Sequence, residues 1–440
     1  MGLPVGKTPL PGETLTKIKS ACALVLGLLA ASPDARAAEI LTWEECLREA
    51  SRNNPGLAAA EEAVRKARAQ RQASFSDFLP QLSAEAGYTR ANSATSLDSA
   101  GSGSGVREEF SAGLSARQSL FSGLKSKAGV EKSSAELERV EAELQALRAS
   151  LGYDLKTAFA RLLYSQEQLV LAEAIAARRQ ENVRLVELRY EAGREHKGSF
   201  LRSRAAHRQA VFEVSQARRG LRVAQRELGR ALGRPEFSVL QATGTLRAQA
   251  PGEPPEWTAL APRTPAFLEA RAQARAAEAG VAVARSQFFP ELSATGSVSR
   301  RGSDWPPDRD RWSAGLSLSF PFFPGGRNIF ELRGARAESL KAQAGLRSAR
   351  DESLLRLEEG FAAFQDAAER TEVQREFLEA AEVRAQIARS QYTSGLLSFE
   401  DWDLIENDLI ATQKTHLSSL RDAELAQAQW EKAQGRGGMP

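Results

Sequence analysis

Two periodicities trade places along the chain, and they do so twice. From Pro55 to about Ser76 the sequence is rich in Ala, Arg and Glu and reads as a helix, preceded by a shorter one from Thr42 to Asn54. Thr42 with Glu45 three residues on gives that first helix a capping-box start. After Pro80 the period drops to two: Leu82, Ala84, Ala86 and Tyr88 fall on one side and Ser83, Glu85, Gly87 and Thr89 on the other. The next segment sets Phe110, Ala112, Leu114 and Ala116 against Ser111, Gly113, Ser115 and Arg117. Then the helical spacing returns, with Leu137, Val140, Leu144, Leu147 and Leu151 three and four apart. No proline occurs from Lys125 to Gly233, so the helix up to Tyr190 is on the order of 100 Å long. Gly193 breaks it. A return helix follows, with Val214, Ala217, Leu221, Ala224 and Leu228 in the same spacing.

The second half repeats the first. Phe78-Leu79-Pro80-Gln81-Leu82-Ser83-Ala84 recurs as Phe288-Phe289-Pro290-Glu291-Leu292-Ser293-Ala294, 210 residues on. Proline suits both junctions, because it lacks the N–H a helix interior needs and pushes the preceding residue toward extended backbone. Ser111 to Ser115 matches Ser313 to Ser317 at an offset of 202, as do Phe121 and Gly123 with Phe323 and Gly325, and Tyr190 and Gly193 with Tyr392 and Gly395. The fourth alternating segment has Trp312, Ala314, Leu316, Leu318 and Phe320 against Ser313, Gly315, Ser317 and Ser319. The expected fold is therefore mainly α with a membrane β-barrel, built from a duplicated helix–strand–strand–helix–helix unit with four strands per chain. Residues 38–234 form the first repeat, with a β-hairpin at about 80–119 and a helical hairpin at about 124–233. Residues 235–262, with Pro235, Pro251, Pro254, Pro255 and Pro262, form a linker. Residues 263–434 form the second repeat, with hairpins at about 290–321 and 327–434, and 435–440 a tail. The polar stretches 91–109 and 301–311 read as loops between the strands.

Composition adds a compartment. Lys17 and Lys19 precede an apolar run from Ala21 to Ala31, and Ala35-Arg36-Ala37 is a small-x-small cleavage site, so residues 1–37 read as a signal peptide. No later segment is long and apolar enough to cross a bilayer as a helix. Segments of roughly ten residues match tilted strands that do cross one. The formal charge of +3 falls to +1 once the leader is removed, giving no reason to expect a nucleic-acid partner. Cys46 is alone in the mature chain, so no intramolecular disulfide forms. His196, His207 and His416 lie in polar helical stretches without metal spacing, no catalytic constellation appears, and no cofactor is expected.

Four strands in lipid leave two edges of unpaired backbone groups, each costing several kcal/mol. Small barrels need about eight strands, so the chain oligomerises: a dimer supplies eight strands and a trimer twelve, and strand number alone does not choose. The entry Phe-Leu-Pro-Gln-Leu-Ser, the exit Leu120-Phe121-Ser122-Gly123 and Tyr-x-x-Gly at both hairpin turns, in this duplicated order, resemble the TolC-type outer membrane efflux family over about residues 40–434. The resemblance implies a homotrimer with a twelve-stranded barrel in outer membrane lipid, continued by a long α-helical barrel in the periplasm. It implies an exit duct of a tripartite efflux or type I secretion system. The partners would be a periplasmic adaptor and an inner-membrane pump of the resistance-nodulation-division, ABC or related type. It also places Tyr190, Gly193, Tyr392, Gly395, Asp401 and Asp403 at the periplasmic mouth, and Pro80, Gly123, Pro290 and Gly325 at the helix–strand junctions. The first hairpin departs from the pattern, with Ser199 where the second has Asp401. The alternative is a periplasmic coiled-coil or adaptor-type protein whose strands form a soluble β domain.

Overall fold

The computed structural model describes residues 39–93 and 105–437. The expected signal peptide and most of the Ser/Gly-rich loop lie outside these residues. A short strand β1 (Glu39–Leu41) precedes α1 (Trp43–Asn53) and α2 (Pro55–Ala73). Thr42 closes the expected capping box: Glu45 N–H donates to its Oγ1 at 3.3 Å while Thr42 N–H donates to Glu45 Oε2 at 2.9 Å. A 3-10 turn, Ser74–Phe78, leads through Pro80 into β2 (Gln81–Ser93), which turns back as β3 (Gly105–Ser122). Two long helices follow, α3 (Lys125–Glu191) and α4 (Lys197–Ala231). The second half runs through β4 (Leu240–Ala242), α5 (Trp257–Leu260), α6 (Pro265–Ser286), β5 (Glu291–Gly302), β6 (Arg309–Ser319), α7 (Arg327–Ser394) and α8 (Phe399–Ala433).

The four long strands form one antiparallel sheet in the order β2-β3-β5-β6, so the two repeats join through β3 and β5. The register carries the alternation across all four. Ala84 faces Leu114, Leu114 faces Val298, and Val298 faces Trp312 on one side. Ser83, Ser115, Ser297 and Ser313 form the adjoining row on the other. Leu120 is skipped in the pairing between Ser119 and Phe121, a bulge at the end of β3 nearest the helices. The strands are longer than expected. Residues 91–93, 105–109, 301, 302 and 309–311 belong to them, not to loops. There Arg90, Glu108, Arg300 and Asp310 occupy the otherwise apolar side, so the alternation in polarity fades before the pairing does.

Helix neighbours change along the length. Near the sheet the side-by-side order is α2–α3–α6–α7; toward the far end it becomes α4–α3–α8–α7. α2 packs through Val64 and Ala67 onto the expected stripe at Leu137, Val140 and Leu144. Residues 240–242, inside the expected linker, are not a bare connection. β4 pairs in parallel with β1, and Leu240 and Ala242 join Cys46, Ala50, Leu162, Leu228 and Leu232 in the largest buried core. Arg234 holds this layer to the N-terminal segment through Glu39 at 2.6 Å and Glu49 at 2.7 Å. Cys46 has no exposed surface, and burial pushes its thiol up to about 12. At pH 8 the folded protein therefore keeps this thiol protonated and covered. Iodoacetamide is expected to label Cys46 only after denaturation; labelling of the native protein at a free-cysteine rate would contradict the packing.

Each strand-to-helix junction needs left-handed backbone. Gly123 has φ +62° and Gly325 φ +64°. A Cβ on Gly123 would lie 2.7 Å from the Ser286 carbonyl oxygen and 2.8 Å from Phe289 Cβ, whereas one on Gly325 meets nothing within 4 Å. Left-handed conformation costs a non-glycine residue roughly 1–2 kcal/mol. Gly325→Ala should lose about that much. Gly123→Ala should lose visibly more, read as melting temperature in detergent; equal losses would mean that this close approach is absent.

Candidate functional site

The sheet supplies one wall. Its apolar side is exposed in the protomer: Trp312 is 80%, Leu82 79% and Leu316 73% accessible. Aromatic rings flank this band. Tyr88 and Phe110 sit 4.9 Å apart toward the hairpin ends, with Trp305 6.2 Å from Phe110, while Phe320, Phe322 and Phe323 are exposed at the helix end. An apolar band between aromatic girdles is the outer surface of a membrane barrel. The reverse side is Ser, Gly and Thr for most of its height, with Ser83 Oγ 2.8 Å from Ser115 Oγ and Ser297 Oγ 2.9 Å from Ser313 Oγ. Short hydroxyl side chains satisfy one another there and fill no interior volume, which suits a water-filled lumen.

The far ends of the helical hairpins form the second part. Both turns use the same device. Gly193 at φ +70° lets Arg194 N–H donate to the Arg189 carbonyl at 2.8 Å; Gly395 at φ +81° lets Leu396 N–H donate to the Gln391 carbonyl at 2.8 Å. These are Schellman-type ends, in which only glycine takes the left-handed position without penalty. The aromatic contacts repeat as well. Tyr190 stacks on Phe200 at 5.8 Å, and Tyr392 stacks on Trp402 at 4.3 Å. Tyr392 is the buried member. Its hydroxyl donates to Glu195 Oε2 at 3.1 Å, its carbonyl accepts from Arg189 Nη1 at 2.6 Å, and the Arg189 guanidinium lies 4.6 Å above its ring. Burial, and then the Glu195 carboxylate, hold the phenol above its ordinary range, so it stays a donor. One residue thus ties the two hairpin tips together.

Asp401 and Asp403 part company. Asp401 is exposed at the start of α8: Ser398 Oγ donates to its Oδ2 at 2.6 Å and accepts from its N–H at 3.1 Å. In the first hairpin His196 caps the helix, accepting from Ser199 N–H at 3.2 Å. Asp403 points inward. Its carboxylate accepts from Arg179 Nη1 at 3.2 Å and Arg202 Nε at 2.9 Å, and the Asp403 and Arg179 side chains are 6% and 7% exposed. Arg179 Nη2 also donates to Asn407 Oδ1 at 2.6 Å, and Asn182 Nδ2 to Glu406 Oε2 at 3.3 Å. Asp403 is therefore inside the protomer, where it joins α3, α4 and α8. Arg179, Asn182, Glu406 and Asn407 were not singled out in the sequence, although Arg179 and Asn182 continue the buried three-and-four stripe of Ala172, Ile175 and Val186.

Open edges complete the picture. β2 and β6 end the sheet, and α4 and α7 end the helical row near the tips. Nine basic residues against two acidic ones lie on α4. Its side away from α3 presents Leu201, Arg208, Phe212, Arg219 and Val223, all exposed. The outer side of α7 carries Glu369, Glu376, Glu379, Ala380, Val383 and Ile387, several of them lining a groove of about 660 Å³.

A model of the outer membrane efflux protein family matches residues 46–234 and 258–436. The chain belongs to the outer membrane efflux protein family. It is an outer membrane protein that extends into the periplasm. Among curated relatives, the cation efflux system protein CusC of Escherichia coli K12 is 24% identical over 384 residues, covering 84% of this chain and 81% of its own. The outer membrane protein OprJ of Pseudomonas aeruginosa is 26% identical over 360 residues, covering 78% and 73%. A solved membrane protein from Pseudomonas aeruginosa shares the fold at a TM-score of 0.81 and 22% identity, over 89% of this chain and 93% of that one. The expected combination of helical barrel and membrane sheet thus stands. No helix among the described residues is long and apolar enough to span a membrane, and none of them groups three or more metal-binding side chains.

Proposed function

We propose that this efflux protein assembles as a homotrimer and serves as the passive exit duct of a tripartite efflux or type I secretion system. The observation that carries this is the unpartnered pair of edges at every level, in the sheet and in both helical rows. In hydrocarbon the unpaired backbone of β2 and β6 is too costly to leave open. Three copies give twelve strands. That number suits the lumenal surface better than eight, because an eight-stranded interior is just wide enough for side chains to fill, and serine and glycine fill little. Conduction needs no chemistry from the chain; the driving energy belongs to an inner-membrane pump of the resistance-nodulation-division, ABC or related type, reached through a periplasmic adaptor. The tips, with Gly193 and Gly395 at the turns, Tyr190 and Asp401 exposed, and Tyr392 buried behind them to hold the two turns together, are the surface such an adaptor would meet. The chain is divided in this reading into repeats at 38–234 and 263–434 joined by a linker at 235–262, whose β4 pairs with β1 of the first repeat.

The test is the mass of the detergent-extracted protein together with its behaviour in planar bilayers. A trimer that inserts and conducts is expected. A stably folded, lipid-embedded monomer would overturn the proposal.

A further inference from the structure

On the lumenal face of the sheet the row Ser83–Ser115–Ser297–Ser313 is small and uncharged; Gln81 and Arg117 lie on its helix side, and most of the long side chains lie on its hairpin side. Counting along the register, the row Glu85–Gly113–Ser299–Arg311 is followed by Gly87–Ser111–Arg301–Arg309. Arg301 and Arg309 stand directly opposite each other on neighbouring strands. Like charges in that position destabilise a sheet, so packing gives no reason for the pair. Arg301 is met by Glu109 Oε1 at 3.2 Å. Arg309 and Arg311 are exposed and have no carboxylate partner among the described residues. Two of the nearby acids are engaged elsewhere. Asp310 pairs with Arg300 at 2.6 Å on the lipid-facing side, and Asp304 accepts from Ser303. Three guanidinium groups therefore stand on this face at the hairpin end, with Glu85 and Glu109 as the acids on the same face there.

We infer that Arg301, Arg309 and Arg311 form a cationic collar at the exterior end of the lumen that favours anionic solutes, such as carboxylates and phosphates, over cations of similar size. This rests on the reading of the polar face as the wall of a conducting duct. Rings of arginine select for anions because fixed positive charge raises the local anion concentration and repels cations. Ring closure repeats the collar once per protomer. It also brings β6 of one copy beside β2 of the next, so Glu85 of that copy can offset part of the Arg311 charge, while Arg309 and the Arg301–Glu109 pair leave an excess of positive charge.

The experiment uses the full-length assembled protein in a planar bilayer with a KCl gradient, reading the chloride-to-potassium permeability ratio from the zero-current voltage. Arg309→Gln with Arg311→Gln should lower that ratio at least about twofold, as expected when two fixed charges per protomer leave a shared ring. The charge-keeping pair Arg309→Lys with Arg311→Lys should retain the wild-type ratio. Arg300→Gln, one residue along but on the lipid side, should leave it unchanged. An unaltered ratio in the glutamine variant overturns the collar, as does an equal fall in the Arg300 variant. Should the glutamine pair fail to assemble, Arg311→Gln alone is expected to shift the ratio in the same direction, and no shift there overturns the inference. A wild-type protein that inserts without conducting removes the duct reading itself, an outcome separate from any change in selectivity.

Discussion

Replacing Asp403 with alanine should cost the protein about 3–5 kcal/mol, the range for removing one partner of a buried ion pair. The loss comes from what remains. Arg179 is 7% exposed, sits between α3 and α8, and would keep only Asn407 as a polar partner. Water does not reach it to compensate. Arg202, by contrast, is 66% exposed, and Arg202→Ala should fall in the surface range of about 1 kcal/mol or less. Replacing Arg179 and Asp403 together by leucine should recover much of the stability lost in the single variant, because two apolar groups then pack without a stranded charge. Thermal unfolding in detergent, with limited proteolysis of the hairpin tips, reads all three. If Asp403→Ala and Arg202→Ala melt alike, Asp403 is not buried with Arg179 in the assembled protein.

Reversing charge on one edge should abolish assembly, and reversing both should restore it. Arg208→Glu with Arg219→Glu would place acid on the outer side of α4, where a neighbouring copy would bring Glu369 and Glu376 of its α7. Repulsion between several partly desolvated charges is worth several kcal/mol at an interface, enough to move a trimer to monomers at micromolar concentration. Glu369→Arg with Glu376→Arg should fail in the same way for the opposite reason. Mixing the two charge-reversed chains joins complementary edges at two of the three seams of a mixed ring and leaves like charges at the third, whereas the fourfold variant restores every seam. Its recovery of trimer in native mass spectrometry is the decisive reading. Failure to recover would mean that α4 and α7 do not meet.

In the proposed trimer the polarity of those edges would also fix how copies join. α4 is basic and the facing part of α7 acidic, so an edge repels its own kind and accepts the other. Such a contact is heterologous, and copies related by it follow one another around a ring.

The large architecture was legible because duplicated signals reinforce one another. A single alternating segment such as Leu82 to Tyr88 fits many half-buried strands, but four of them, each entered or left at matching Pro or Gly positions, fit few folds. The turns were legible for a simpler reason: Gly193 and Gly395 follow a tyrosine at the same spacing, and the backbone there needs a left-handed residue. What was missed has equally physical causes. β1 and β4 are three residues each, and each becomes a strand only through a partner some 200 residues away, which no local pattern records. The strand ends run past the apolar band into a zone where cross-strand ion pairs such as Arg90–Glu108 replace greasy contacts, so the polarity contrast disappears. Asp403 resembled Asp401 by its place near a helix start, where a carboxylate is favoured in any case. The clue to its burial lay in α3, where a charged Arg179 occupies a position of the apolar stripe. A cation held there demands an anion from a facing helix.

α3 and α7 each run without interruption from the sheet to the hairpin turns, 67 and 68 residues, or roughly 100 Å at the helical rise. A rod of that length multiplies rotation: one degree of lean at the membrane carries the distant tip sideways by roughly 1.7 Å. Modest reorientation at the bilayer is thus enough to exchange hydrogen-bond partners at the opposite end, and a push applied there is felt in the lipid with the same leverage reversed.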